Sequence, residues 1–343
     1  MLATPITDPD AWIDHWAAAG GEAWACQDFR RAADCYATAL GAAAHSSEPG
    51  RGRGLWRRQR DSWERVVDGS GERLAIPYEG TTLPGYLFRA ADEPRPLVIV
   101  NRGAGEPASA AWALGGAAAE RRGYHWMTFD GPGGDAALLE QELTSRLDWE
   151  HVLTPVVDAL VARADVDPGR LAVVGSGEAG LLVPRALAFE HRVAVAAVDP
   201  GVVDLAASYA LQLSSRLRAQ LRDGDASGFD REIHLAELFS HDLRVHLDLC
   251  AAPFGLARGS RFELFRTVEG YRLGDEVERV RTPLLVLERE GDDRWPGQSR
   301  ALYDRLRGPK RIVTLRDDDG REGPVLDWLD AHLADAAVRP ATP

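Results

Sequence analysis

The chain is poor in cysteine, lysine and long apolar runs, and each shortage excludes a class of protein. Its three cysteines, Cys26, Cys35 and Cys250, are too few and too scattered for a disulfide scaffold or a zinc cluster, so we expect a reducing cytoplasm and no metal site. No apolar run approaches the ~20 residues that a membrane span needs, and the first residues lack the pattern of a signal peptide. Lys310 is the single lysine, a usage typical of GC-rich codons, and we expect a bacterial source.

Positive charge is also in deficit. The 53 acidic residues outnumber the 40 basic ones and give a formal net charge of −13. Such a surface repels phosphate backbones and anionic membranes, so neither nucleic acid nor membrane is an expected partner. The 45% of hydrophobic residues excludes wholesale disorder, and 343 residues suit one large α/β domain with an addition, or two domains.

The first seventy residues have the periodicity of helices. Trp12 and Trp16 are one turn apart, and Phe29, Tyr36 and Leu40 repeat with the spacing of one buried helix face. This pattern predicts a helical segment over 1–70, interrupted by a Gly- and Arg-rich loop at 46–54.

From residue 72 the pattern changes to strands. Two alternating stretches, ERLAIPYE and TTLPGYLF, predict an antiparallel hairpin. Short apolar runs then alternate with helical stretches, which predicts a mostly parallel sheet with helices on both faces. These runs are LVIV (97–100), YHWMTF (124–129), LAVV (171–174), VAVAAV (193–198), PLLVLE (283–288) and RIVTL (311–315).

A long segment interrupts this alternation. Residues 204–278 contain no convincing strand, and they predict a helical lid that begins with one long helix over 204–221. The predicted units are therefore a helical segment (1–70), a first part of the core (71–203), the lid (204–278) and a second part of the core (279–343).

The order of motifs resembles the α/β-hydrolase fold, and within it the branch of dihydroxypseudooxynicotine hydrolase and the FrsA-like esterases. The stretches that carry the resemblance are IPYEGTTLPGYL (76–87), FDGPGG (129–134), DWEHVLTPVVDAL (148–160), VDPGRLAVVG (166–175), PRALAFEHRVAVAAVDPG (184–201) and LYDRLRGPKRIV (302–313). The resemblance implies a Ser-His-Asp triad, with the serine on a G-x-S-x-G turn between a strand and a helix.

This chain departs from that triad at two positions. The turn is GSGEAG (175–180), so Gly177 stands where the nucleophile is expected. The loop after RIVTL contains no histidine, and we expect His332, which lies beyond it, to be structural. By its spacing, Asp292 matches the family's acid, and the neighbouring Asp293 is the alternative. Ser176 lies one residue early and, without a histidine, is not expected to act as a nucleophile.

Other residues are candidates for a different chemistry. Glu178 follows Gly177, where a partly desolvated carboxylate suits a general acid or base, alone or as a pair with Asp292; the alternative is a surface glutamate that favours the start of a helix. Five further residues are candidates for substrate or oxyanion binding: Gly103, Ala104, Glu106, Gly177 and Trp295. We expect no cofactor.

Three functions remain open from the sequence. The first is a non-hydrolytic enzyme of secondary metabolism that acts on a bulky carbonyl compound such as a polyketide. It would stabilise an enolate during C–C bond formation, as in conjugate addition or cyclisation, or during proton transfer. The second is a binding or scaffold protein without catalysis. The third is a residual hydrolase of C–C or ester bonds in which a carboxylate activates water. The expected partner is a hydrophobic or aromatic small molecule, and a homodimer is possible.

Overall fold

The computed structural model describes residues 8–48, 50–103, 105–210, 213–256, 259–316 and 319–336, and the strands of this part of the chain form one mixed sheet. Eight strands lie at the predicted hairpin and apolar runs: β1 (Glu72–Tyr78), β2 (Thr81–Phe88), β3 (Arg95–Asn101), β4 (His125–Phe129), β5 (Val166–Ser176), β6 (Val195–Asp199), β7 (Leu284–Arg289) and β8 (Lys310–Leu315).

The strand order is β1–β2–β4–β3–β5–β6–β7–β8. The pairs β1–β2 and β2–β4 are antiparallel, and the remaining pairs are parallel. Strands β4 and β6 are buried along their whole length, as the continuous apolar runs predicted. The prediction of a mostly parallel sheet is confirmed.

Helices cover both faces of this sheet. One face packs against the helices over 150–161, 179–187 and 298–305, and the other face packs against the helices over 51–70, 117–121 and 322–336. Outside the N-terminal segment and the lid, the helices are α4 (Ala117–Arg121), which follows a π-helical turn (Trp112–Gly116), α5 (Asp135–Leu139), α6 (Glu150–Val161), α7 (Ala179–Leu187), α13 (Gln298–Arg305) and α14 (Glu322–Ala336).

The N-terminal segment is helical and packs on the sheet. It consists of α1 (Pro9–Ala25), α2 (Phe29–Ala42), a 3₁₀ turn (Ala43–His45) and α3 (Arg51–Ser70). The buried Trp63 of α3 contacts Tyr86 and Phe88, with ring centroids 5.8 and 5.6 Å apart. The predicted loop over 46–54 is wrong at its end, because α3 already begins at residue 51, after Gly50 in a left-handed conformation.

The lid consists mainly of helices in the described residues. They are α8 (Leu205–Ala210), α9 (Ser215–Asp223), α10 (Ala226–Phe239), α11 (His241–Ala251) and α12 (Arg261–Glu269), with 3₁₀ turns at Ala252–Phe254 and Asp275–Arg279. The predicted single helix over 204–221 is wrong. Ser214 has extended backbone, and its side chain accepts the Leu217 N–H at 3.1 Å, which begins a new helix.

No helix in the described ranges is both long enough and apolar enough to cross a membrane. The division of the chain at residues 70, 203 and 278 stays a prediction.

Candidate active site

A sharp turn joins β5 to α7 at the carboxyl edge of the sheet. Its apex is Gly177, whose φ of +58° lies in the left-handed region and whose N–H donates to the Asp199 carbonyl at 3.0 Å. The turn is tight, since a Cβ on Gly180 would lie 1.9 Å from the Pro200 carbonyl oxygen. At Gly177, in contrast, the nearest atom to an added Cβ is the Gly103 Cα at 3.7 Å. The geometry of a nucleophile elbow is therefore present, with open space at its apex.

Glu178 stands next to this apex, at the cap of α7, and lines a cavity. Its carboxylate forms an ion pair with Arg294, whose side chain is 62% exposed while that of Glu178 is 20% exposed. The carboxylate also lies against Gly103, because a Cβ on Gly103 would be 2.7 Å from Glu178 Oε2. The structure thus places the predicted Glu178 carboxylate at the apex, beside a cation that the sequence reasoning missed.

Glu106 brings a second carboxylate to the same place. Its Oε2 accepts the Gly103 N–H at 2.8 Å and the Ser176 hydroxyl at 2.6 Å. The Gly103 N–H, predicted as an oxyanion donor, is therefore already bonded to a carboxylate of the chain itself. The role of Gly103 stays a prediction, and Ala104 lies outside the described residues.

Arg102 holds the loop that carries Glu106. Its side chain, only 5% exposed, donates to Thr128 Oγ1 at 3.0 Å and to the Phe129 carbonyl at 2.9 Å. It also pairs with the buried Asp130 and donates to the Glu106 carbonyl. Arg102 therefore ties the loop after β3 to β4 and the turn that follows it.

Asp292 and Trp295 are not among the described residues that line the cavity. The Asp292 carboxylate accepts the N–H groups of Arg294 and Trp295, both at 3.0 Å, and so closes its own turn. Trp295 is buried in the core, with the Arg294 guanidinium 4.2 Å above its ring. The carboxylate that the structure brings near Glu178 is Glu106, while Asp293 and Arg294 line the cavity from the Asp292 turn.

The position of each histidine shows whether it lines the cavity or packs elsewhere. The His332 Nδ1 lies 2.9 Å from the Trp328 carbonyl, and its ring packs on the Trp328 ring at 4.0 Å. This contact supports the structural role expected for it. His246 is the single histidine among the described residues that line the cavity. The other lid histidines, His234 and His241, have Glu237 and Arg244 as neighbours.

The cavity itself has a volume of about 1480 Å³. Small-molecule pockets typically measure about 300–1,000 Å³, so this one has room for a bulky ligand. Its walls come from the sheet edge, the lid and, unexpectedly, helix α2. Apolar side chains dominate the described lining from the lid and α2: Leu40, Leu205, Leu213, Leu217, Ile233, Leu243, Leu247, Phe254 and Phe265. In the described residues, no group of three or more His, Cys, Asp or Glu side chains is placed to hold a metal ion.

Known structures share this architecture. The crystal structure of 2,6-dihydroxy-pseudo-oxynicotine hydrolase superposes with a TM-score of 0.71 at 17% identity, over 94% of this chain and 89% of that one. AbyA5 superposes with a TM-score of 0.66 at 20% identity, over 95% and 89%. At these identities the likeness establishes the fold.

Curated relatives match in sequence over part of their length. Hydrolase LUC6 of Fusarium sp. is 37% identical over 150 residues, 41% of this chain and 36% of that protein. Hydrolyase ccsE of Aspergillus clavatus is 29% identical over 241 residues, 64% and 55%. The chain thus spans about a third to a half of these relatives, which are fungal and give no support to the expected bacterial source. No protein-family model matches the chain. The sheet order, the elbow and these likenesses together show that the chain is an α/β-hydrolase-fold protein.

Proposed function

We propose that the chain is a cofactor-independent enzyme that transfers protons on a bulky carbonyl compound and stabilises its enolate. The observation that carries the proposal is the elbow: Gly177 leaves open space at the apex, and the carboxylates of Glu178 and Glu106 lie beside it. The reactions that suit this equipment are conjugate addition, cyclisation and isomerisation, which proceed without an acyl-enzyme.

The apex offers a place for a carbonyl oxygen. In this fold the amide after the apex stabilises an oxyanion, and here that position is Glu178, at the amino end of α7. The helix end favours negative charge because its partial positive charge faces the site. A ketone held above Gly177 thereby has its enolate form stabilised.

We assign the proton transfer to the Glu178 carboxylate. Its carboxylate faces the cavity and pairs with an arginine that is largely exposed and therefore able to move aside. An ionised carboxylate close to the α-carbon of a bound ketone takes a proton and returns it to the same or another carbon. Glu106 is held by Ser176 and Gly103, so we assign it to positioning and substrate contact.

The size and lining of the cavity support a hydrophobic or aromatic substrate. The name of one relative, hydrolyase, supports chemistry that adds or removes water without an acyl intermediate. A cytoplasmic location and a homodimer remain expectations.

The test is deuterium exchange at the α-carbon of 2-tetralone, a bicyclic ketone, followed by NMR in D₂O. We expect the wild-type chain to accelerate exchange and Glu178→Gln to slow it by ~10²–10⁴-fold, the usual loss for one proton-transfer group. Glu290→Gln is the matched control, because Glu290 is 68% exposed and pairs with Arg316. Equal exchange rates in wild type and Glu178→Gln would contradict the assignment. Binding of the ketone with no exchange would favour a binding protein instead.

A further inference from the structure

Two side chains of the lid form a contact inside the cavity. His246 and Cys250 are four residues apart on α11 and therefore share one face of the helix. The Cys250 Sγ lies 3.7 Å from the His246 Nε2, and both residues line the cavity. Tyr209, from α8, is a hydrogen-bond partner of the thiol and lines the cavity too. We call His246 and Cys250 the lid dyad.

We expect the lid dyad to be neutral in its resting state. Burial raises the pKa of the Cys250 thiol, and burial together with the charge of Arg294 lowers the pKa of His246. A thiol and an imidazole therefore face each other, with the proton on sulfur. Such a thiol reacts slowly with reagents that need a preformed thiolate. It reacts when a base takes its proton as the new bond to sulfur forms.

Two neighbours favour the charge that then develops on sulfur. The Tyr209 hydroxyl and the Arg294 guanidinium both lower the pKa of Cys250, although burial outweighs them. Burial also raises the pKa of Tyr209, so its hydroxyl keeps its proton and can donate it in a hydrogen bond. Arg294 is the same residue that pairs with Glu178, so the dyad and the elbow face one shared space.

We propose that Cys250, with His246 as its base, adds to a carbon–carbon double bond conjugated with a carbonyl group, and that the ligand of the cavity is therefore an α,β-unsaturated carbonyl compound. The assignment deepens the proposed function and rests on it for the carbonyl class alone. In the addition, the thiol proton moves to His246 Nε2 and the sulfur bonds to the β-carbon. The electrons of the double bond form the enolate, which the imidazolium then protonates at the α-carbon. Elimination reverses each step, so the addition needs no oxidant and no second substrate.

The other cysteines provide internal controls. Cys26 is exposed at the end of α1, and Cys35 is buried in the packing of α2. A reagent that seeks any accessible thiol reaches Cys26 first. Preferential reaction at Cys250 therefore shows that the cavity binds the reagent, and the dependence of its rate on His246 tests the neighbouring base.

The experiment uses the full chain and trans-chalcone, an apolar aromatic enone. Adducts are fixed by borohydride reduction of the ketone and located by peptide mass mapping. We expect the adduct on Cys250 in the wild type and in Cys26→Ser. His246→Gln is expected to slow its formation by roughly 10²-fold, the lower end for loss of a general base. His241→Gln is the matched control on the same helix, where its ring contacts Arg244, and is expected to leave the rate unchanged.

Adducts confined to Cys26 in the wild type would overturn the proposal, whatever the variants do. Equal labelling rates in His246→Gln and His241→Gln would overturn the role of His246. If labelling fails at Cys250 while exchange of 2-tetralone still depends on Glu178, this inference is wrong and the proposed function stands. If Cys250 is labelled but exchange of 2-tetralone does not depend on Glu178, the function of Glu178 is rejected and the reactive thiol is retained.

Discussion

The Ser176 hydroxyl donates a hydrogen bond of 2.6 Å to Glu106 Oε2, the same oxygen that accepts the Gly103 N–H. The serine nearest the elbow apex is thus a donor to a carboxylate, and it is only 2% exposed. The bond ties the Glu106 carboxylate to the residue that directly precedes the elbow apex. We therefore expect Ser176 to orient the Glu106 carboxylate and not to attack a carbonyl.

The first prediction concerns ester hydrolysis. We expect no hydrolysis of activated acyl esters above background and no labelling by a fluorophosphonate, because loss of a triad nucleophile or base typically costs on the order of 10⁶ in kcat. Gel-based labelling and mass spectrometry of the full chain measure this directly. Stoichiometric modification of Ser176 would show that the serine leaves Glu106 and acts as a nucleophile.

The second prediction compares two glycines of the elbow. A serine at position 177 has space around its Cβ, so its cost comes only from the left-handed backbone conformation. For Gly177→Ser we therefore expect a loss of about 1–2 kcal/mol in the free energy of unfolding. Gly180→Ala drives its Cβ into the Pro200 carbonyl, so we expect a loss of at least about 3 kcal/mol. Urea denaturation measures both.

The same Gly177→Ser variant tests the chemistry. It restores a hydroxyl at the apex, yet we expect no esterase activity because the loop after β8 carries no histidine to activate it. Ester hydrolysis that appears with this substitution would mean that His246 reaches the apex from the lid.

Much of the architecture was predictable, because buried parallel strands must be apolar along their whole length. The run VAVAAV became the buried β6, and GSGEAG became the elbow with Gly177 at its apex. The start of a new helix at Ser214 was also visible in principle, since serine is a preferred helix cap. The predicted long helix overlooked that signal.

The periodicity of the sequence could not predict which side chains from distant parts of the chain contact each other. Glu178 and Arg294 are 116 residues apart, and their contact depends on how the loop after β7 lies over α7. Asp292 matched the family position by spacing, yet its carboxylate binds the amides two and three residues further on. That local pattern is common for aspartate in turns, and it competes with any role in the cavity.

The third prediction is a dependence of stability on pH that comes from His125. This buried ring accepts the Ala90 N–H at Nδ1, at 3.0 Å, and its Nε2 lies 3.0 Å from the Asp165 carbonyl, so the folded state needs the neutral ring. Burial lowers its pKa below the ordinary 6.5. The unfolded chain therefore binds the proton first, and stability falls as the pH drops below about 6.5, by at most about 1.4 kcal/mol per pH unit.

Urea denaturation at pH 7.5 and at pH 5.5 measures this effect. The loss between the two pH values should be smaller in His125→Gln than in wild type. It should persist in His191→Gln, which changes an exposed histidine. An identical loss in wild type and His125→Gln would assign the dependence to other groups.

The fourth prediction concerns Arg102, which links the fold to the site. Arg102→Met leaves the buried Asp130 with Arg60 as its ion-pair partner and removes the donors to Phe129 and Glu106. Breaking an isolated buried pair typically costs about 3–5 kcal/mol. Because Asp130 keeps Arg60, we expect a smaller loss, about 1–3 kcal/mol in the free energy of unfolding, from the carbonyl groups that lose their donor. Arg300→Met is the control, because Arg300 is half exposed and its pair with Glu288 is worth about 1 kcal/mol or less.

The same variant should also lose the fixed position of the loop that carries Glu106. Without Arg102 the Glu106 backbone loses its tie to β4, so the carboxylate no longer stays fixed on Ser176 and Gly103. Exchange of 2-tetralone by folded Arg102→Met, measured at low temperature, should therefore be slower than in Arg300→Met. If the two variants exchange equally fast once folded, the position of Glu106 has no influence on proton transfer, and Glu178 alone performs it.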